Sequence, residues 1–255
     1  MSGTFTPAPG AAPLVSQVRT QTSMEARLLL RNGEQLLLAV VIPVIALVGG
    51  VIASRHLDFS LAHRPVDVLT PGVFALAIMS TSFTSLAIAT GFERRYGLLK
   101  RLGASPLPRI GLLAGKVLAL LFVEVLQLIV IGGVGLALGW EPDALGFLLV
   151  IPVALVGTAA FAGLGLFVAG TLRAEATLAA ANLIYLLLMA GGAVVLPRSS
   201  YGGFGAALRL LPSGALGDAL RSAFLDGRLD LVPMLVLIVW AVGGAWLAAR
   251  YFKWE

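Results

Sequence analysis

The sequence predicts an all-α membrane protein with six transmembrane helices, and three observations lead to that fold class. Of the 255 residues, 58% are hydrophobic and 12% are charged, about half the charged fraction of a soluble domain. Six apolar runs are each long enough to cross a hydrocarbon core of about 30 Å, which takes about 20 helical residues. Basic residues are concentrated in the loops of one side, as expected of a protein inserted in a bilayer.

The predicted elements begin with a tail and an interfacial helix. Residues 1–13 are rich in Thr, Pro, Gly and Ala, which predicts a disordered tail. Residues 14–33 mix basic and apolar side chains, which predicts a helix lying at the membrane surface. Residues 34–255 then form one six-span domain. Its predicted spans are 35–54, 71–92, 117–140, 144–172, 176–197 and 231–249.

The longest segment outside the spans is 198–230, between the fifth and sixth spans. Its apolar pieces are too short to cross a bilayer and carry polar residues at helical intervals. This pattern predicts short helices that dip into the outer leaflet or lie on it.

The distribution of positive charge sets the predicted orientation. If the N-terminus is placed inside, the inner segments hold twelve of the eighteen lysines and arginines. The positive-inside rule then puts both termini in the cytoplasm.

The densest charge lies in residues 91–108, between the second and third spans. On a helix, Tyr96, Leu99 and Leu102 fall near one face, and the prolines at 106 and 108 would end that helix. The pattern predicts a short amphipathic cytoplasmic helix. Two interpretations fit it: a surface that docks a partner protein, or an ordinary positive-inside loop.

One acid, Glu124, lies within a predicted span, and Gln127 follows on the same flank of the helix. An ionisable group at this depth is costly and faces protein or a water-filled cavity. The pair could line a substrate path or a subunit interface. Alternatively, a protonated Glu124 could bond to a neighbouring helix and hold the bundle together.

Several kinds of site are excluded or unsupported. There are no cysteines, and the two histidines, His56 and His63, lie in one outer loop. The run Gly111-Leu-Leu-Ala-Gly-Lys-Val is one residue short of a phosphate loop and ends in valine where serine or threonine is needed. We therefore expect no catalytic residue, no metal site, no cofactor on this chain and no nucleic-acid partner.

Four features give the chain a resemblance to a known family. They are the run Arg27 to Pro43, the segment Glu93-Arg-Arg-Tyr-Gly-Leu-Leu-Lys-Arg-Leu-Gly-Ala-Ser-Pro, the acid Glu124, and the spacing from Pro212 to Arg221. Together they resemble the membrane subunit of ABC-2 type transporters, which include bacterial drug and lipid exporters. Ser213 and Ala215 depart from the family pattern after Pro212.

The resemblance implies a half-transporter in the bacterial cytoplasmic membrane. Two permease subunits, identical or different, would assemble with two copies of an ATP-binding subunit that carries the ATP and Mg²⁺. Glu124 would correspond to the acidic position common in the family's third span, and the exported molecules would be drug-like or lipid-like. The residues implied to contact the ATPase are Glu93, Arg94, Arg95, Tyr96, Leu98, Leu99, Lys100, Arg101 and Leu102.

Other function classes remain open on the residues alone. A secondary carrier would be expected to carry more intramembrane charge or broken helices in repeated positions. A membrane enzyme would need a cluster of polar groups at one depth, and Glu124 stands alone. A non-transporting subunit that anchors an ATPase is a further alternative.

Overall fold

The structure is a computed structural model that describes residues 12–31, 33–56, 63–103 and 108–253. Within these ranges the chain is helical or lies in turns between helices, without a strand. The all-α fold class is therefore confirmed. Most of the predicted tail and residues 105–107 of the predicted helix stop lie outside the described residues.

The N-terminal helix α1 (Leu14–Arg31) occupies the range predicted for the interfacial helix, and α2 (Gly33–Ala53) follows it. The exposed surface of α1 is mixed, because Arg19, Arg27 and Arg31 are exposed alongside apolar side chains. Gln21 and Glu25 are buried, whereas Val15 and Leu28 are exposed. Outward-facing apolar side chains suit a helix whose free surface meets lipid.

The second span is the centre of the bundle. It consists of α3 (Pro65–Met79), a π-helical turn (Ser80–Ser85) and α4 (Leu86–Arg95). Pro65 suits the first helical turn, where its missing N–H has no intrahelical partner. The continuous helix Pro65–Arg95 is longer than the predicted 71–92 and is the most buried of the candidate spans.

The remaining long helices complete the membrane domain. They are α6 (Arg109–Ala137), α7 (Gly146–Thr171), α8 (Ala174–Gly191) and α11 (Leu231–Tyr251). In the described part of the chain, five helices are long and apolar enough to cross a membrane. A shorter apolar stretch, Ala39–Ala53, lies in α2 at the position of the first predicted span.

The helices α7 and α11 cross at two glycines. A Cβ added to Gly163 would lie 2.8 Å from the backbone nitrogen of Ala245 and 2.8 Å from the carbonyl carbon of Gly244. Only a residue without a side chain allows the two backbones to approach this closely. Gly163 and Gly244 therefore serve the packing of α7 against α11.

We expect Gly163→Ala to lower the free energy of unfolding by about 1–3 kcal/mol, because the backbone atoms it meets must shift. Gly243→Ala is the matched control, since a Cβ added at Gly243 would have no other atom of the described residues within 4 Å. Thermal unfolding of the full-length protein in detergent measures both. Equal unfolding temperatures for the two variants would contradict the packing argument.

The segment predicted as one amphipathic helix is instead divided in two. The span helix α4 continues to Arg95, and α5 (Leu98–Gly103) begins after a break. Gly97 has φ +68°, a left-handed conformation that glycine adopts readily. The prediction of a single helix was wrong because its charged first half belongs to the membrane span.

The fifth span ends earlier than predicted, at Gly191 rather than 197. The segment before the last span contains a 3₁₀ turn (Arg198–Phe204), α9 (Gly205–Leu208) and α10 (Pro212–Asp226). Short helices were predicted here, but α10 does not lie on a surface. It is buried against α3 and α7, in the interior of the bundle.

Candidate functional site

A buried charge cluster joins three helices at the end of the bundle where α4 meets α5. Lys116 on α6 is 4% exposed. Its Nζ donates to Glu25 Oε1 on α1 at 2.8 Å and to Glu93 Oε1 on α4 at 2.6 Å. Gln21 Nε2 donates to the same Glu25 oxygen at 2.8 Å. We call Glu25, Glu93 and Lys116 the inner charge cluster.

Arg94 and Arg95, the two residues after Glu93 on α4, bond to the end of α7 and the start of α8. Arg94 donates to the backbone carbonyls of Gly170 and Leu172, where α7 ends. A cation at this position satisfies carbonyls that have no partner within the helix. Arg95 pairs with Glu175 in the first turn of α8. The end of α4 is therefore bonded to α7 and α8 as well as to α6.

Of the other predicted coupling residues, one is buried, four are exposed and Leu102 is half-buried. Leu99 is fully buried. Tyr96 is 70% exposed. Leu98, Lys100 and Arg101 are exposed as well. The free surface of this segment is thus the α4–α5 turn and the outer side of α5.

Glu124 and Gln127 lie in a buried polar layer midway along α6. Thr158 Oγ1 on α7 donates to Glu124 Oε2 at 2.6 Å. Gln127 Nε2 donates to the carbonyl of Ala39 on α2 at 2.9 Å and lies 2.9 Å from Thr81 Oγ1 in the π-helical turn. Glu124 therefore accepts a hydrogen bond from a neighbouring helix. A polar substrate path would lie in the same layer.

A cavity of about 180 Å³ lies between α3, α6 and α7 beside Glu124. Apart from Glu124 and Gln127 its lining is apolar and includes Phe74 and Val150. Three further lining residues, Val125, Ile151 and Leu155, are exposed on the outer face of the single chain. The cavity therefore opens sideways, toward the region that lipid tails occupy around a spanning bundle.

At the opposite end of the bundle, the buried Arg221 bonds α10 to the chain that follows α8. Arg221 Nη2 donates to the carbonyls of Val194 and Val195 at 2.7 Å each, in the chain that follows α8. Asp218 lies 3.5 Å from Arg221 and 2.8 Å from Arg198. Burial lowers the pKa of Arg221 to about 10, partly opposed by Asp218, so the guanidinium stays charged at neutral pH.

The family model described as ABC-2 type transporter matches residues 16–225, well over half of the chain. The chain belongs to the ABC-2 type transporter family. No curated protein gives a match to it. The matched region begins in α1 and ends in α10, so it contains the inner charge cluster, Glu124 and Arg221.

Membership makes the chain a permease subunit of an ABC transporter and a multi-pass membrane protein. Its part in the reaction is transport, and the family implies association with an ATP-binding subunit. This agrees with the sequence analysis, in which the only candidate phosphate loop, Gly111 to Val117, fails on spacing and on its last residue. In the structure that run lies inside the apolar helix α6.

Sequence reasoning about this ABC-2 subunit missed several residues that bond neighbouring segments to one another at each end of the bundle. Lys116 was counted only among the basic residues of the inner segments and Glu25 was not singled out, yet they are buried and paired. Ser213, noted as a departure from the family pattern, donates its hydroxyl to the carbonyl of Gly192 at 2.8 Å. An unbroken apolar run around Lys116 was the one sequence signal that could have marked it as buried.

Proposed function

We propose that the chain is the membrane subunit of an ATP-driven exporter for a hydrophobic or amphipathic molecule, drug-like or lipid-like. A separate ATP-binding subunit in two copies would carry ATP and Mg²⁺, and a second permease subunit, identical or related, would complete the transporter. Both termini would face the cytoplasm of a bacterial cell. The twelve basic residues of the inner segments support that orientation.

The observation that carries the proposal is the arrangement around the end of α4. Tyr96, Leu98, Lys100 and Arg101 form a free surface, next to side chains that are bonded to α6, α7 and α8. A partner pressing on this surface would displace Glu93, Arg94 and Arg95, which are held by those helices. Packed elements respond to such a push by moving together. The α4–α5 segment thus suits the transfer of work from an ATP-binding subunit to the spans.

The proposed class of cargo rests on where the two sites lie. The free surface is at the end of the bundle predicted to be cytoplasmic, and the Glu124 cavity is at mid-depth and opens sideways. A molecule dissolved in the bilayer could reach that cavity without crossing water. This arrangement supports a lipophilic cargo taken from the membrane.

Cysteine cross-linking tests the docking surface, and the native chain contains no cysteine to interfere. We expect Tyr96→Cys to be captured by a co-expressed ATP-binding subunit through a short thiol-to-amine cross-linker. Leu99→Cys should not be captured, because Leu99 is fully buried.

Phe204→Cys provides a second control, because Phe204 is 80% exposed at the other end of the bundle. Capture of the ATP-binding subunit by Phe204→Cys as efficiently as by Tyr96→Cys would place docking elsewhere. So would a complete lack of capture at Tyr96 in a complex that co-purifies intact.

A further inference from the structure

We propose that the cavity beside Glu124 binds the ammonium-bearing end of a lipophilic amine that arrives from the bilayer between α6 and α7. The inference rests on the proposed function only in treating this amine as cargo. The binding itself depends on neither ATP nor a partner subunit.

The charge of the site is the first argument. Glu124 is 6% exposed and one of its oxygens is held by Thr158. The other oxygen, Oε1, makes no hydrogen bond within the described part of the chain. None of the ion pairs among the described residues includes Glu124. A carboxylate at this depth is stabilised only by a cation or a donor close to it, and a protonated amine supplies both.

The size and lining of the cavity limit which group of the ligand can lie next to its ammonium. Its volume is about 180 Å³, and a dry apolar cavity of about 150 Å³ can hold a benzene ring. The walls formed by Phe74, Ile78 and Val150 offer no further charged group. The cavity therefore suits one aromatic ring or a short alkyl group next to the ammonium. Among the described residues, the lining contains no cation that could pair with an anionic ligand.

The route into the cavity indicates a lipophilic ligand. Val125 on α6 and Ile151 and Leu155 on α7 line the cavity and are also exposed on the outer face. A ligand whose ammonium reaches Glu124 would extend past these three side chains toward the lipid tails. A strongly hydrated polyamine has no such apolar portion and would gain little from this opening.

Direct binding of two matched probes tests the proposal. Radiolabelled phenylbutylamine and its neutral counterpart phenylbutanol are added to the full-length protein in nanodiscs, and the signal from empty nanodiscs is subtracted. We expect the amine to bind at least about 10-fold tighter than the alcohol, as a charge-assisted hydrogen bond provides. Equal affinities of the two probes for the wild-type protein would overturn the proposal.

Two variants test whether the carboxyl group of Glu124 sets the affinity for the amine. Glu124→Gln keeps an oxygen that Thr158 can bond, so we expect the amine's affinity to fall about 10-fold, to that of the alcohol. Thr158→Val leaves the carboxyl in place and should retain the preference for the amine. Unchanged amine binding by Glu124→Gln would overturn the proposal.

Ala154→Leu, which fills part of the cavity, should weaken both probes. This variant decides the question if Glu124→Gln does not fold, and unchanged amine binding to it would overturn the proposal. The proposed export function is tested separately, by ATP-dependent uptake of the amine into inverted vesicles. Binding without uptake would contradict amine export while leaving the site intact.

Discussion

The variant Lys116→Met is expected to lose about 3–5 kcal/mol of stability, the usual cost of removing one partner from a buried ion pair. Lys116 is the shared partner of Glu25 and Glu93, so its removal leaves two mostly buried carboxylates close to each other. Their repulsion would separate α1 and α4 from α6. Thermal unfolding of the full-length protein in detergent, followed by tryptophan fluorescence, measures the loss.

A neutral triple variant is the control for Lys116→Met. Replacing Glu25 and Glu93 by glutamine together with Lys116→Met removes all three charges while keeping similar volumes. Such replacements of buried ion pairs are often tolerated, so this protein should unfold well above the single variant. An unfolding temperature for Lys116→Met equal to that of the wild type would show that the inner charge cluster does not hold these helices together.

The triple variant also tests what the cluster contributes to transport. If the charges serve only stability, the folded triple variant should transport as the wild type does. If they transmit the movement of the α4–α5 segment to α1, it should fold, bind the ATP-binding subunit and transport poorly. The second result is the one expected from the proposed function.

Arg221→Met is expected to destabilise the opposite end of the bundle by a comparable amount, about 3–5 kcal/mol. It leaves the carbonyls of Val194 and Val195 without their donor, and among the described residues it leaves the mostly buried Asp218 with Arg198 as its remaining ion-pair partner. Arg221→Lys should restore only part of the loss, because one ammonium lacks the planar fork of a guanidinium.

Arg228→Met is the matched control for Arg221→Met. Arg228 has a side chain that is 70% exposed, and it pairs with Asp226 just beyond the end of α10. Exposed pairs contribute about 0–1 kcal/mol, so its loss should scarcely change the unfolding temperature. Similar shifts for Arg221→Met and Arg228→Met would mean that the buried contacts of α10 add little stability.

The sequence predicted the membrane helices well because their signal is local. The best-placed span is the predicted 144–172, which corresponds to α7, Gly146–Thr171, whereas the predicted 117–140 missed the first eight residues of α6, Arg109–Ala137. The burial of Glu124 was also predictable, since an acid inside an apolar run has to face protein or a cavity. Its partner Thr158 was not, because it lies on a different helix.

The parts that sequence reasoning missed depend on contacts between distant residues. Lys116 and Glu25 are 91 positions apart, and no periodicity relates them. The break after Arg95 was missed because the charges on both sides of it look alike in sequence. Burial of α10 was missed for a similar reason, since its polar residues Ser213 and Arg221 find partners only after the chain has folded.

The π-helical turn Ser80–Ser85 sets how far α4 is rotated relative to α3 about the axis of the second span. Each residue of an α-helix turns the chain by about 100° and advances it by about 1.5 Å, and a π-helical turn closes its hydrogen bonds one residue further along. Deleting one residue there would swing Glu93 away from Lys116 while Gly72, at the other end, kept its place beside Val195. The number of residues in this turn, more than their identity, is therefore what aligns the inner charge cluster with the opposite end of the bundle.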